Sequence, residues 1–202
     1  MSLHTLILAA GEGRRFGDEL KQLARVNGQT LLQRCVDVAV SLTPNQVSVV
    51  VGYQHQLLSP LLAHVNVIVN SNWSKGIGSS IACGVSALPV SASAVLIILC
   101  DQAALGVADY HLLQGCFLAV SEQSESHNIP IVCASYGDQL GVPAIFPKRF
   151  FPQLMALSGD VGAKKILYGN SVKTVQLLMA SIDIDTQENL KDFIANQDRS
   201  LT

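Results

Sequence analysis

Residues 6–21, LILAAGEGRRFGDELK, decide how the rest of the chain is read. Leu6, Ile7 and Leu8 form an apolar run suited to a buried strand, which passes into a loop with Gly11, Gly13 and Gly17. Arg14 and Arg15 lie inside that loop and Lys21 follows it. Glycines let backbone N–H groups turn toward an anion, and cations complete its neutralisation, so the stretch has the chemistry of a phosphate site. Two standard phosphate loops do not fit it. A P-loop needs GxxxxGK[ST], but Gly17 is followed by Asp18 and Lys21 is displaced. A dinucleotide fingerprint needs GxGxxG, but Gly11, Gly13 and Gly17 are spaced one residue too long, and the second strand ends in Val51-Gly52 without an acidic residue.

The composition sets bounds around this loop. The chain has 202 residues, enough for one domain, 1–202, with a full core. Hydrophobic residues make up 49% and charged residues 14%, which excludes a disordered chain. The net charge of −2 gives no basic surface for nucleic acid or an anionic membrane. Apolar runs are strand-sized, too short for a membrane span. The first residues carry no charged n-region and read as a core strand rather than a signal peptide. Cys35, Cys83, Cys100, Cys116 and Cys133 are dispersed without CxxC spacing, which points to a reducing, cytoplasmic setting and no structural zinc.

Strand and helix patterns alternate along the chain. Strands are expected at 2–9, 46–51, 65–69, 94–99, 129–134, 140–146, 171–177 and 182–184. Helices are expected from Thr30, where Thr30 and Gln33 have capping-box spacing, and at 54–62, 80–88, 109–121 with Asp109 as N-cap, 150–157, 163–168 and from 186. Residues 122–127 read as a polar loop. The pattern predicts an α/β fold, a three-layer αβα arrangement around a mainly parallel sheet. Ligands of such sheets bind at the carboxyl ends of strands, where the glycine loop and Asp101 both fall. A carboxylate closing the apolar strand 94–99 is costly to desolvate alone, and Mg²⁺ is a suitable partner. The histidines have no ligand spacing, and His55, His64, His111 and His127 are assigned no role.

Further segments recur in order. They are Asn72-Trp73-Ser74-Lys75-Gly76 with Gly78, Ser80 and Gly84; Leu99-Cys100-Asp101-Gln102; Gly141-Val142-Pro143 to Phe146; Leu157 to Lys164, LSGDVGAK; and Ile182-Asp183-Ile184-Asp185-Thr186. With the LAAGxGxRxG loop and its lysine, this set resembles the MobA-like nucleotidyltransferases, nearest the molybdenum cofactor cytidylyltransferase branch. The resemblance implies a nucleotide-diphospho-sugar transferase fold, GT-A-like and Rossmann-like. It implies Mg²⁺-dependent transfer of a nucleoside monophosphate, CMP from CTP, onto molybdopterin cofactor with release of pyrophosphate, and a possible molybdoenzyme partner. Ala9, Ala10, Gly11 and Gly13 would meet the nucleotide, with Gly76 and Ser80 toward base and ribose. Since Ala9 to Gly11 would read the base through backbone, GTP stays open. Arg15 and Lys21 would clamp the triphosphate, and these two with Asp101 form the catalytic set. Asp101 and Asp185 would hold the metal, the alternative for Asp185 being the N-cap of the last helix with Glu188 at capping-box distance. Strand alternation would put Asp183 on the face of Asp185. Gly141, Pro143 and Asp160 would face the acceptor. Trp73 would line a pocket or pack over its loop. The chain departs from the family pattern at Phe16, Ala103, Val142 and Gln187-Glu188-Asn189. Val142 stands in the acceptor loop, so a sugar or polyol phosphate stays open as the acceptor. A non-catalytic module that binds a nucleotide or cofactor is a rival from a different class, and a nicotinamide oxidoreductase is a more distant one.

Overall fold

The computed structural model describes residues 1–125 and 128–199. Its strands are β1 (Leu3–Ala9), β2 (Arg25–Val26), β3 (Gln29–Thr30), β4 (Val47–Val51), β5 (Asn66–Val69), β6 (Ala94–Leu99), β7 (Ile131–Tyr136), β8 (Gln139–Pro147) and β9 (Val172–Gln176). Its helices are α1 (Leu31–Leu42), α2 (His55–Leu58), α3 (Ile77–Ser86), α4 (Val107–Gln123), α5 (Phe151–Met155), α6 (Lys164–Tyr168) and α7 (Gln187–Arg199). Seven strands form one sheet in the order β5-β4-β1-β6-β8-β7-β9. Only β8 runs against its neighbours; the other pairings are parallel, as the alternation of elements predicts. β2 and β3 make a small separate hairpin through Asn27 and Gly28, both at positive φ.

Alternation within each strand divides the core. Ile7 and Ala9 of β1 join α1 and α4 side chains such as Leu32, Val36 and Phe117 on one face. Leu6 and Leu8 join Ile81 and Val85 of α3 and Leu154 of α5 on the other. Both faces of the central strands are therefore covered, which is why β4, VSVVV, is apolar almost throughout and buried at every position. Among the described residues no helix is long and apolar enough to cross a membrane.

Local signals place several elements. Thr30 caps α1 as its spacing predicts: its hydroxyl accepts from Gln33 N at 3.1 Å and its own N–H donates to Gln33 Oε1 at 3.2 Å. Residues 54–62 split ahead of Pro60 into α2 and a 3₁₀ turn over Ser59–Leu62. Other expectations are corrected. Asp109 is not the N-cap of α4 but its third residue, where its carboxylate accepts from Gly106 N at 2.8 Å. α4 runs to Gln123, into the expected polar loop; Ser126 and His127 of that loop lie outside the described residues. α3 spans Ile77–Ser86, three residues earlier at its start than the expected 80–88, so Ser80 sits in its first turn. Residues 182–184 are not a strand. A 3₁₀ turn at Leu178–Ser181 precedes them, and the chain is moored instead by Ile184 N donating to Asp101 O at 3.0 Å. Strand alternation therefore does not place Asp183 and Asp185 on one face.

A buried polar group under α3 has a measurable signature. His4 is 6% exposed, its Nε2 lies 3.0 Å from Ser48 Oγ, and its Nδ1 has no partner. Burial holds its pKa below 6.5. As pH falls below 6.5 the unfolded chain takes up this proton first, so stability drops, by at most about 1.4 kcal/mol per pH unit for one proton. Thermal unfolding between pH 7.5 and 5 is expected to show this slope and a His4→Asn variant to lose it. The difference between the two proteins is the readout, because Asp183, raised to about 6, titrates in the same range with the opposite sign.

Candidate active site

The glycine loop leaves β1 and is held in shape from below. Gly13 takes a left-handed conformation, φ 67°, and a 3₁₀ turn over Arg14–Phe16 drives Phe16 into the core. Gln22, 3% exposed, donates from Nε2 to the carbonyls of Ala9 at 3.1 Å and Gly11 at 2.8 Å. That clamp fixes the path of the loop, and sequence reasoning missed it; only adjacency to Lys21 marks Gln22 in the sequence.

The cations of the loop meet carboxylates from far along the chain. Lys21 Nζ donates to Asp101 Oδ2 at 2.6 Å and to Asp185 Oδ1 at 2.8 Å. Arg15 Nη2 donates to the other Asp185 oxygen at 2.7 Å. Asp101 stands just past β6, and Asp185 is brought beside it by the Ile184–Asp101 backbone bond. Burial pulls the Lys21 ammonium down, but Asp101 and Asp185 together outweigh it and raise its pKa, so it stays charged. Burial pushes Asp185 up, while Lys21 and then Arg15 more than reverse this and hold it below the usual carboxylate range. Asp183 behaves oppositely. Burial first, then the charges of Asp101 and Asp185, push it up to about 6 against the pull of Lys21 and Gln102.

A cleft of about 450 Å³ opens above these groups. Ala9, Ala10, Gly11, Gly13, Lys21, Gly76, Ser80, Asp101 and Asp160 line it, nine of the residues singled out from sequence. Arg15 and Asp185 reach the cluster through their ion pairs rather than as cleft walls; Arg14, paired with Glu12 at 2.6 Å, lines the cleft instead. Trp73 is a wall as well and packs edge-on against Tyr53 at 5.2 Å. A second cavity of about 320 Å³ shares Leu8, Ile77, Leu99 and Asp160 with the first and adds Gly141, Val142 and Asp183. Pro143, buried in β8, lines neither of the two, so this part of β8 presents Gly141 and Val142 to the second cavity.

Two buried amides set this geometry: Asn70, missed in the sequence, and Gln102, singled out there within the 99–102 segment but given no role. Asn70, 3% exposed, donates to the hydroxyls of Ser79 at 3.0 Å and Ser80 at 3.1 Å, fixing the first turn of α3. Gln102, 4% exposed, donates to the carbonyls of Val142 at 3.1 Å and Ala180 at 2.8 Å, tying the end of β6 to both β8 and the arm that carries Asp185.

Asp101 and Asp185 are the side chains that could hold a divalent cation. Asp101 Oδ1 is buried without a hydrogen-bond partner, an oxygen left over for a ligand. No cluster of three or more His, Cys, Asp or Glu suited to a metal occurs among the described residues. Two carboxylates beside an open cleft suit a hard divalent cation such as Mg²⁺, which takes oxygen ligands and fills its shell with water and phosphate oxygens.

The sequence profile described as the MobA-like NTP transferase domain matches residues 5–175. The chain belongs to the MobA-like NTP transferase family. Asp101 lies inside the matched region and Asp185 beyond it. The bifunctional protein GlmU of Mycobacterium leprae is 27% identical to this MobA-like chain over 145 residues, 67% of this chain and 28% of GlmU. The chain thus spans little more than a quarter of that relative. The nicotine blue oxidoreductase of Paenarthrobacter nicotinovorans is 32% identical over 174 residues, 80% of this chain and 79% of that protein. The crystal structure of Rv0371c from Mycobacterium tuberculosis in complex with manganese superposes with a TM-score of 0.76 at 20% identity, covering 96% of this chain and 99% of that one. That likeness supports the α/β three-layer fold.

Proposed function

We propose that this MobA-like chain is a divalent-metal-dependent nucleotidyltransferase, with CTP as the preferred donor and a molybdopterin-type phosphate as acceptor. The observation that carries the reading is the convergence of Lys21, Arg15, Asp101 and Asp185 at the mouth of the glycine loop. In the reaction an acceptor phosphate oxygen bonds to the α-phosphorus, the bond from that phosphorus to the bridging oxygen breaks, and pyrophosphate leaves with the electron pair. Charge collects on the phosphoryl oxygens, so positioned cations are the main catalytic resource. Backbone of Ala9 to Gly13 lies against the nucleotide, with Gly76 and Ser80 on the base and ribose side. Lys21 and Arg15 neutralise the triphosphate; Arg15 can grip two oxygens and Lys21 acts as a point charge. Asp101 and Asp185 hold the metal, Mg²⁺ by preference. When bound, it supplies charge stabilisation to the reacting phosphate. The manganese in the Rv0371c complex supports a divalent cation in this fold. Gly141 and Asp160 line the cavity beside the nucleotide cleft and form the acceptor side. The motif set 99–102, 157–164 and 182–186 supports the molybdopterin acceptor and, with it, delivery to a molybdoenzyme. The dispersed free thiols support action in the cytoplasm.

Pyrophosphate release from CTP, GTP, ATP and UTP with Mg²⁺, with and without molybdopterin cofactor, is the test. Release from CTP only when the cofactor is present is expected. Release from GTP alone would change the donor, and release only with sugar or polyol phosphates would change the acceptor. A second reading, an oxidoreductase that binds a nucleotide cofactor in the same cleft, is favoured by the nicotine blue oxidoreductase, which aligns over most of both chains. Oxidation of NADH or NADPH by an electron-accepting dye, with no pyrophosphate from any triphosphate, would select it.

A further inference from the structure

Lys21 stands where a metal between Asp101 and Asp185 would stand. Its single nitrogen is 2.6 Å from one carboxylate and 2.8 Å from the other, and its side chain is only 14% exposed. We propose that Lys21 is the resident counter-cation of the Asp101–Asp185 pair, and that a divalent metal enters as the triphosphate draws its ammonium away. The coupling to triphosphate rests on the nucleotidyltransferase reading; the counter-cation role does not.

Two carboxylates held this close repel each other unless a cation lies between them. With Arg15 on the remaining Asp185 oxygen, two cations already balance Asp101 and Asp185, so the nucleotide-free pair attracts a lone divalent ion less than two bare carboxylates would. Metal binding there must also break two short ion pairs. A triphosphate changes the balance. An ammonium has three donors, and two face carboxylates here, leaving one for phosphate. The lysine stem begins beside the glycine loop: a Cβ added at Gly13 would lie 3.3 Å from Lys21 Cβ. Rotation about side-chain bonds can then carry the ammonium from the carboxylates to a phosphate on the loop without moving backbone. As it leaves, both carboxylates are uncovered together. Metal and triphosphate become positively coupled ligands, and linkage makes the coupling reciprocal.

The test is Mn²⁺ titration of the nucleotide-free protein followed by electron paramagnetic resonance. Lys21→Met is expected to bind Mn²⁺ at least about ten-fold tighter than the native chain, within the usual span of coupling between sites. Lys21→Gln is expected to match it and guards against a packing fault in the Met variant. Arg14→Gln removes the same charge from the adjoining glycine loop but from an exposed pair with Glu12, and should leave Mn²⁺ affinity unchanged. Adding Asp101→Asn to Lys21→Met should erase the gain. With α,β-methylene-CTP present, the native chain should rise toward the Lys21→Met affinity, and the variant should gain less. The proposal is overturned if neither Lys21 variant binds Mn²⁺ tighter than the native chain, or if Arg14→Gln gives the same gain. Pyrophosphate release by a native chain whose Lys21 variants show no gain would sink the counter-cation role and leave the reaction standing. A gain without turnover of any triphosphate would do the reverse.

Discussion

Asp101→Asn is expected to slow pyrophosphate release by about a thousand-fold, the scale set by losing one preorganised electrostatic group. The substitution keeps the shape of the side chain and removes its charge. Asp101 gives one oxygen to Lys21 at 2.6 Å and keeps the other buried without a partner. Asparagine would place an amide where two acceptor oxygens now stand, halving the oxygen donors at that position. The fold should survive, because the mooring of the Asp185 arm uses the main-chain oxygen of Asp101, which the variant retains. Lys21 also keeps Asp185 as a partner at 2.8 Å. The loss of stability should therefore stay within about 2 kcal/mol, or about 6 °C in melting temperature for a chain of this size. Initial rates with a melting curve on the same sample give both numbers. A rate within ten-fold of the native chain would remove Asp101 from the reacting centre.

Gly76→Ala is expected to have the largest structural effect of any single methyl group near the cleft. Gly76 has φ 94° and ψ 173°, a conformation that side chains scarcely adopt. The added Cβ would run into the Asp160 carboxylate and would lie 2.6 Å from the carbonyl oxygen of Gly159. The loop at 158–160 rests on this surface, with Gly78 N donating to Gly159 O at 2.9 Å. Backbone strain alone costs about 1–3 kcal/mol, and displacing the loop adds to it. A total near 3 kcal/mol lowers the melting temperature by about 6–12 °C. Because Asp160 lines both cavities, weaker nucleotide binding should accompany the drop. A melting temperature within about 2 °C of native would show that the loop does not depend on Gly76 for its seat.

The parts of this structure legible in the sequence are those written in local spacing. Thr30 and Gln33 announce the start of α1 because both halves of the capping box lie within one turn. The passage from β1 into the glycine loop is local as well, and so is the end of β6 at Asp101. Other features depend on partners far away and leave no period to read. Gln102 reaches carbonyls 40 and 78 residues distant, and Gln22 turns back 11 and 13 residues. A buried amide bonding to carbonyls has the same letter as a solvated one. Residues 182–184 mislead for a related reason. Ile-Asp-Ile alternates like a strand, yet Ile182 is 40% exposed while Ile184 is fully buried, because one backbone bond to Asp101, not a ladder, sets their orientation. Asp109 shows the smaller error of register: the right residue acts at the helix start, three positions inside it.

The Lys21–Asp185 pair spans 164 residues, and every strand of the sheet precedes Asp185 in the chain. Synthesis adds about 5–20 residues per second from the N-terminus. A growing polypeptide thus acquires the glycine loop, Lys21 and Asp101 early, and its second carboxylate only after the last strand has been made. Until then Lys21 is paired with Asp101 alone and Arg15 lacks its Asp185 partner. The four-group cluster is therefore among the last features to be completed, and a chain cut before residue 185 would carry every strand of the sheet but only one of the two carboxylates.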